Sequence, residues 1–191
     1  MLILIKIGGI YNMEIMEAKR LTHLCVETNV EKEKIETYLK VVNNKENIID
    51  DEYLQDNFYG YSVKDLESEF KDYTIEELQQ RLINVTKKIE VLNEMRKEAI
   101  DKLTETELGI LDMMISEVIE SKQTVLNSVL RRANAAVREY ENVSENKKTE
   151  AKDKCRIILS GCTDSIKSLK IMIHFYKQYI PSQEYNKRKK K

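Results

Sequence analysis

Basic residues near the carboxyl end have the types and the spacing that suit the binding of anions. Four residues that repeat at intervals of three, four and three positions fall on one side of a helix: Lys167, Lys170, His174 and Lys177. A basic run ends the chain: Lys187, Arg188, Lys189, Lys190 and Lys191. From residue 152 onward, eleven Lys and Arg accompany three acidic residues, although the whole chain has a net charge of −1. This end is therefore predicted to bind a polyanion such as DNA, an anionic membrane or an acidic filament.

The chain shows no residue pattern typical of an enzyme. Its two histidines, His23 and His174, are far apart, and neither a Gly-rich phosphate loop nor a Ser/His/Asp arrangement is present. Cys155 and Cys162 could offer two thiolates to a metal, but Cys162 falls on a predicted apolar stripe. We therefore predict no enzymatic activity, no cofactor, no metal site and no small-molecule substrate.

Composition favours a long helical molecule. The chain of 191 residues has five Gly, one Pro and 34% charged residues, which predicts an all-α fold. No apolar run reaches the 18 residues of a membrane span, and three cysteines are an odd number that suggests reduced thiols. These features predict a cytoplasmic protein, peripheral to the nucleoid or a membrane if the basic end binds there.

An apolar stripe in residues 75–103 predicts a coiled coil that forms a homodimer. Its members recur at 3-4-3-4 spacing: Ile75, Leu78, Leu82, Val85, Ile89, Leu92, Ala99 and Leu103. Arg96 occupies one seam position, where it costs stability but can set the register. Thr74 is the expected N-cap of this helix. An intrachain hairpin with the apolar residues of the segment 104–140 would bury the same stripe.

Loops and charge runs divide the rest of the chain. A non-native or disordered extension is predicted at the start, because residues 6–13 back-translate to a ribosome-binding sequence followed by a start codon at Met13; a short β-strand in residues 2–7 is the alternative. The predicted segments are the extension 1–12, a head 13–70, the coiled coil 74–104, a second long helix and loop 105–148, a basic amphipathic helix 149–180 and a lysine-rich tail 181–191.

The last helix has two interpretations. Its apolar face could pack in a core, with the lysine tail extending beyond it. Alternatively, the apolar face could lie at the headgroup level of an anionic membrane while the basic stripe contacts phosphates.

Residues 21–39 suggest two short helices joined by a turn at Thr28 and Asn29. Thr22 is the expected cap of the first helix, and Asn29 tolerates the positive φ of a turn. Cys25 is a small residue where two helices must approach, and Val30 and Ile35 are apolar residues after the turn. The order matches a helix-turn-helix.

These residues resemble the first two helices of the MerR-type winged helix-turn-helix family, whose heads precede a dimerisation coiled coil. The sequence Tyr-Ser-Val-Lys-Asp-Leu at residues 61–66 is similar to the opening of the family's third helix, and Tyr-Thr-Ile-Glu-Glu-Leu at 73–78 to that of the next. The resemblance covers about half of the chain. It implies a winged helix-turn-helix head on a coiled coil.

The resemblance implies DNA contacts by a set of head residues: Thr22, Lys32, Lys34, Lys40 and Lys45. The head departs from the family because Glu31, Glu33 and Glu36 accompany the lysines, and carboxylates near phosphates repel. The wing region, residues 43–60, is also rich in acidic residues.

The domain order also resembles that of TubY-type accessory proteins of phage and plasmid partition systems, which act on a tubulin-like filament. Together the features predict a non-enzymatic, homodimeric DNA-binding regulator that acts in transcription, or in partition by modulating a cytoskeletal filament. The alternative is a structural or scaffolding coiled-coil protein that binds no nucleic acid.

Overall fold

The computed structural model describes residues 13–43 and 63–181, and every regular element in these ranges is helical. The elements are α1 (Met13–Asn43), α2 (Val63–Phe70), α3 (Ile75–Asp101), α4 (Glu105–Glu141), a 3₁₀ turn (Glu145–Lys147) and α5 (Lys148–Gln178). The all-α class is confirmed. The predictions for the amino-terminal extension, for the wing beyond residue 43 with Lys45, and for the tail from residue 182 lie outside the described residues.

Helix α1 lies at the centre of the fold. Residues around its whole circumference are buried, so it lacks the single polar face of a surface helix. It packs antiparallel to α3, because Glu31 pairs with Arg81 while Thr22, nearer the start of α1, bonds Arg96. Its other sides contact α2, α4 and α5.

The turn predicted at Thr28 and Asn29 is wrong, because α1 continues through both residues. Residues 13–43 contain neither Gly nor Pro to end the helix. Thr28 Oγ1 donates to Leu24 O at 2.7 Å, and Asn29 Nδ2 donates to Cys25 O at 2.8 Å. These side chains bond the preceding turn of the same helix, so residues 21–39 do not form a helix-turn-helix.

The apolar stripe of α3 is buried within the chain. Five of its members are buried, Leu82 and Ile89 pack at the edge of the same core, and Ile75 is 37% exposed. The buried members are Leu78, Val85, Leu92, Ala99 and Leu103. The assignment of the stripe to a dimer seam is therefore corrected: α1 is its partner, and not the segment 104–140 that the intrachain alternative named. The expected N-cap is confirmed, since Thr74 and Glu77 form a capping box.

Arg96 joins the helices α1, α3 and α5. Its side chain is 3% exposed; Nε donates to Thr22 Oγ1 of α1 at 2.9 Å, and Nη2 donates to the carbonyl oxygen of Tyr179 just after α5 at 2.6 Å. The guanidinium also lies over the Tyr179 ring, 4.8 Å from its centroid. A planar, fork-shaped cation satisfies these different acceptors at once.

Helices α4 and α5 form a long antiparallel hairpin. Thr104 and Glu107 cap α4, and the chain reverses through the 3₁₀ turn. The core around α1 takes residues 108–119 from α4 and 171–180 from α5. We call this part, with α1, α2 and α3, the body. Residues 120–170 continue beyond that core as a two-helix arm about 33 Å long, at 1.5 Å per residue.

Replacing Arg96 by Ala should lower the free energy of unfolding by about 3 kcal/mol, because Thr22 and the Tyr179 carbonyl lose charge-assisted hydrogen bonds and the space beside Tyr179 is left empty. Urea unfolding followed by circular dichroism measures this change. Lys88→Ala, at an exposed position of the same helix, should change stability by less than about 0.5 kcal/mol. A loss that depends on protein concentration would instead place Arg96 between two chains.

Candidate functional site

The residues predicted to contact DNA from the head are not available as a set. Thr22 is fully buried, and its hydroxyl donates to Ala18 O while it accepts from Arg96. Thr22 therefore cannot contact DNA, and its predicted role as a helix cap is also wrong because it lies inside α1. Sequence spacing alone did not show that this hydroxyl faces the core.

Two of the three lysines of α1 that were predicted to contact DNA pair with carboxylates. Lys34 Nζ lies 2.8 Å from Glu69 Oε2, and Lys32 Nζ lies 3.7 Å from Glu36 Oε1. Lys40 is exposed near the end of α1. These ion pairs partly neutralise the charge that phosphate binding needs, so α1 is a poor phosphate-binding surface.

Helix α5 carries exposed basic residues near its start and near its end, on one side of the helix. Each member directly follows an apolar or small residue that is buried or half-buried: Ala151-Lys152, Cys155-Arg156, Leu169-Lys170, Ile173-His174 and Tyr176-Lys177. One residue is about 100° of rotation, so all five basic side chains lie on the same side of α5. Lys167 follows Ile166 in the same way but is half-buried. The row from residue 152 to 177 spans about 38 Å.

Helix α4 adds two arginines by the same rule. Arg131 follows Leu130 and Arg138 follows Val137, and both arginines are exposed. Leu130 and Val137 are half-buried, whereas Leu126, Ala133 and Ala136 are buried, so the two arginines lie toward the outer edge of the side that carries the basic row. We call the apolar and small residues of α4 and α5 that face the other helix the seam residues. In an antiparallel pair of right-handed helices, residues that follow the seam residues lie on the same side of both helices. We call this side the basic face: Arg131, Arg138, Lys152, Arg156, Lys170, His174 and Lys177. Exposed Asn127, Asn134 and Glu141 also follow seam residues.

An ion pair on the other side of the arm supports this geometry. Lys154 and Glu139 each precede a seam residue, Cys155 and Tyr140, so the rule places them together on the side opposite the basic face. Lys154 Nζ lies 3.1 Å from Glu139 Oε1, as expected.

The basic face keeps its charge exposed. Within the described parts of the chain, no carboxylate lies within 4.0 Å of the cationic groups of Arg131, Arg138, Lys152, Lys170 or Lys177. Arg156 has only a distant contact, 3.9 Å from Asp153. Arg131, Arg138, Lys152 and Arg156 were not predicted from the sequence; the signal that identifies them is that each directly follows an apolar or small residue that is buried or half-buried.

The apolar side of α5 is already covered by protein. Cys155, Cys162, Ile173 and Tyr176 are buried. Helix α5 packs along α4, and near its end it also contacts α1. A helix that lies in a lipid headgroup layer needs this side free. The core interpretation of the last helix therefore agrees with the structure, while its basic face is left exposed.

Within residues 13–43 and 63–181, no helix is both long and apolar enough to cross a membrane.

A polar junction holds the base of the arm against the body. His23 Nδ1 lies 2.5 Å from Tyr176 Oη. Asn29 donates to Tyr179 Oη at 3.0 Å, and that hydroxyl donates to Asn93 Oδ1 at 3.1 Å. These bonds join α1 and α3 to the end of α5, so they set the angle at which the hairpin leaves the body.

Burial changes the titration of this junction. It lowers the pKa of His23, and the positive charge of Lys19 lowers it further. Burial, with a smaller effect from Glu27, raises the pKa of Tyr176 to about 12. At neutral pH the junction is therefore an uncharged imidazole beside a protonated phenol.

The cysteines lie apart from any recognisable metal centre. Cys25, Cys155 and Cys162 form no disulfide, and all three are buried. Among the residues that the structure describes, no group of three or more His, Cys, Asp or Glu side chains is arranged to hold a metal ion.

Comparison with known proteins gives no relative: no family model, no curated protein and no solved structure matches this chain.

Lowering the pH should destabilise the protein through His23. Because the folded state lowers the pKa of His23 from its ordinary value of 6.5, this contribution to stability is complete above that value and is lost as the pH falls toward the folded pKa. Urea unfolding at several pH values from about 7.5 down to about 5.5 should show this loss. His23→Gln should flatten the dependence, whereas His174→Gln, at an exposed site, should leave it unchanged. Equal curves for all three proteins would contradict the assignment.

Proposed function

We propose that this protein is a non-enzymatic DNA-binding protein whose arm contacts the phosphates of duplex DNA. The observation that carries the proposal is the basic face, seven exposed basic side chains on one side of the α4–α5 hairpin. Lysine and arginine contacts to phosphate supply most of the sequence-independent affinity of DNA-binding proteins.

The dimensions of the arm suit a duplex. Its length of about 33 Å is close to one helical turn of B-DNA, about 34 Å. Cations spread over this length can therefore contact phosphates at the edges of a groove along one side of the duplex. Arg131 and Arg138 offer planar forks for phosphate oxygens, and Asn127 and Asn134 add neutral donors between them.

The proposed DNA contacts lie on the arm and not on the predicted head. The body positions the arm through Arg96 and the His23–Tyr176 junction. The sequence from residue 187 onward adds five further basic residues. Phosphate contacts without a helix in the major groove favour binding that tolerates many sequences. We propose that the protein acts in DNA organisation, partition or transcription through such sequence-tolerant binding.

Removing two cations from the basic face should weaken DNA binding. Fluorescence anisotropy with a labelled duplex of about 30 base pairs, at about 50 to 200 mM salt, measures the affinity and its salt dependence. The double variants Arg131→Gln/Arg138→Gln and Lys152→Gln/Arg156→Gln should each bind about tenfold more weakly and reduce the slope of log K against log[salt] by about 2.

A matched control removes the same charge from the opposite side of the arm. Arg132 and Lys154 each precede a seam residue, so Arg132→Gln/Lys154→Gln should change affinity by less than about twofold. Lys32→Ala/Lys34→Ala tests the α1 site, and deletion of residues 187–191 tests the tail.

Equal losses in the face and control variants would contradict the proposal, and so would binding that only the α1 variant or the tail deletion abolishes. Absence of any DNA binding would favour the scaffolding class. Flotation with anionic liposomes that is lost in the face variants, without DNA binding, would assign the face to a membrane surface.

A further inference from the structure

A cavity lies at the far end of the arm, beside the reversal of the chain. Its volume is about 220 Å³, and its apolar walls come from both helices, including Ala136, Tyr140, Cys155 and Ile158. The walls exist because alanines stand where larger seam residues would fill the space between α4 and α5. Charged residues complete the lining of the cavity.

An exposed isoleucine stands beside the cavity. Ile157 is 71% exposed, the highest value among large apolar residues of the arm. Glu150, Lys154 and Ile157 are spaced by four and three residues, so they lie on one side of α5, and the first two line the cavity. The projecting side chain and the cavity therefore belong to the same surface of the molecule.

The next turn of α5 leaves room for a close approach. Gly161 follows Ile157 by four residues and is exposed, and a Cβ added there would meet nothing within 4 Å. A second helix can approach this bare backbone more closely than it could approach a turn covered by a large side chain.

The charge around the cavity is balanced. Glu139 and Glu150 stand beside Lys147 and Lys154. Such a rim neither attracts a strongly charged ligand nor repels an identical copy, because its two acidic and two basic residues cancel in net charge.

We propose that the arm ends of two copies of this chain bind each other, with Ile157 of each copy inserted into the cavity of the other. A projecting residue and a receiving cavity on one surface are what a two-fold symmetric contact requires. An isoleucine side chain is smaller than the cavity, and its insertion removes an exposed apolar group from water. The inference does not depend on DNA binding.

The arrangement leaves the basic faces free. Glu139 and Lys154 on the cavity rim precede seam residues, whereas the basic residues follow them, so the two surfaces lie on opposite sides of the arm. A dimer joined at the arm ends thus presents two basic faces and two separate bodies.

Sedimentation equilibrium of the full chain tests the contact through its dependence on Ile157. The wild-type protein should show a reversible equilibrium between the 22.5 kDa monomer and a dimer. Ile157→Glu should raise the dissociation constant at least about tenfold, because it places a charge in an apolar cavity. Ala151→Leu, which fills the cavity without adding charge, should have the same effect. Val91→Glu is the matched control, since Val91 is 59% exposed on α3 of the body.

A disulfide trap locates the contact. In the Ile157→Cys variant, the new thiol should reach Cys155 of the second copy, which lines the cavity. Diamide oxidises the two thiols: each loses one electron and one proton, the S–S bond forms, and diamide is reduced to its hydrazine. Non-reducing electrophoresis should show a covalent dimer, which Cys155→Ala should suppress and Val91→Cys should not form.

A wild-type chain that remains monomeric at all concentrations would overturn the proposal. A dimer that persists equally in Ile157→Glu and Ala151→Leu would also overturn it, because the contact would then lie elsewhere. Circular dichroism of both variants should match that of the wild-type chain, and Gly161→Gln, whose side chain enters open space in the monomer, should weaken the dimer without affecting the fold.

Discussion

The buried guanidinium of Arg96 is the interaction on which the arrangement of body and arm depends. It bonds the Thr22 hydroxyl of α1 and the Tyr179 carbonyl at the end of α5, and it stacks on the Tyr179 ring. Because a cation in an apolar core is stable only when its donors are satisfied, these acceptors must stay in place for the core to form. The three helices are thereby held in one relative position.

Further hydrogen bonds at the base of the hairpin hold α5 in the same position. The Tyr179 hydroxyl accepts a hydrogen bond from Asn29 and donates one to Asn93. Tyr176, one helical turn before Tyr179, makes a hydrogen bond with His23. Polar groups from α1, α3 and α5 therefore satisfy one another instead of facing water. A core built from apolar contacts alone would tolerate sliding of α5 along α1, whereas these directional bonds specify one register.

The arm shows how an antiparallel pair sorts charge. The exposed basic residues that follow apolar or small residues of the two helices lie on one side of the arm. Lys154 and Glu139, which each precede a seam residue, form an ion pair on the other side. The separation needs no long-range feature, because the same rotation from the seam is repeated along two helices of opposite direction. Function is proposed for both sides: phosphate binding on one and contact with a second copy at the end of the other.

Helix starts and ends could be predicted where their signals are local. Thr74 and Thr104, each followed three residues later by Glu, form the capping boxes of α3 and α4, and the break after Glu141 falls in the expected loop. The turn predicted in residues 21–39 is absent because the residue that suggested it also suits a helix. Asn29 suits a turn, but its amide equally bonds the carbonyl four residues earlier, and only the surroundings of α1 decide between the two.

The amino-acid sequence by itself determined the helical class, the start of α3 and which residues of α3 avoid water, because capping and apolar periodicity act within a few turns of one helix. Tertiary structure alone decided that α1 covers the α3 stripe, that Thr22 is buried and that the arginines of α4 join the basic row of α5. Periodicity identifies a face that must be covered, but the covering partner depends on contacts between residues far apart in the chain, such as Thr22 and Arg96.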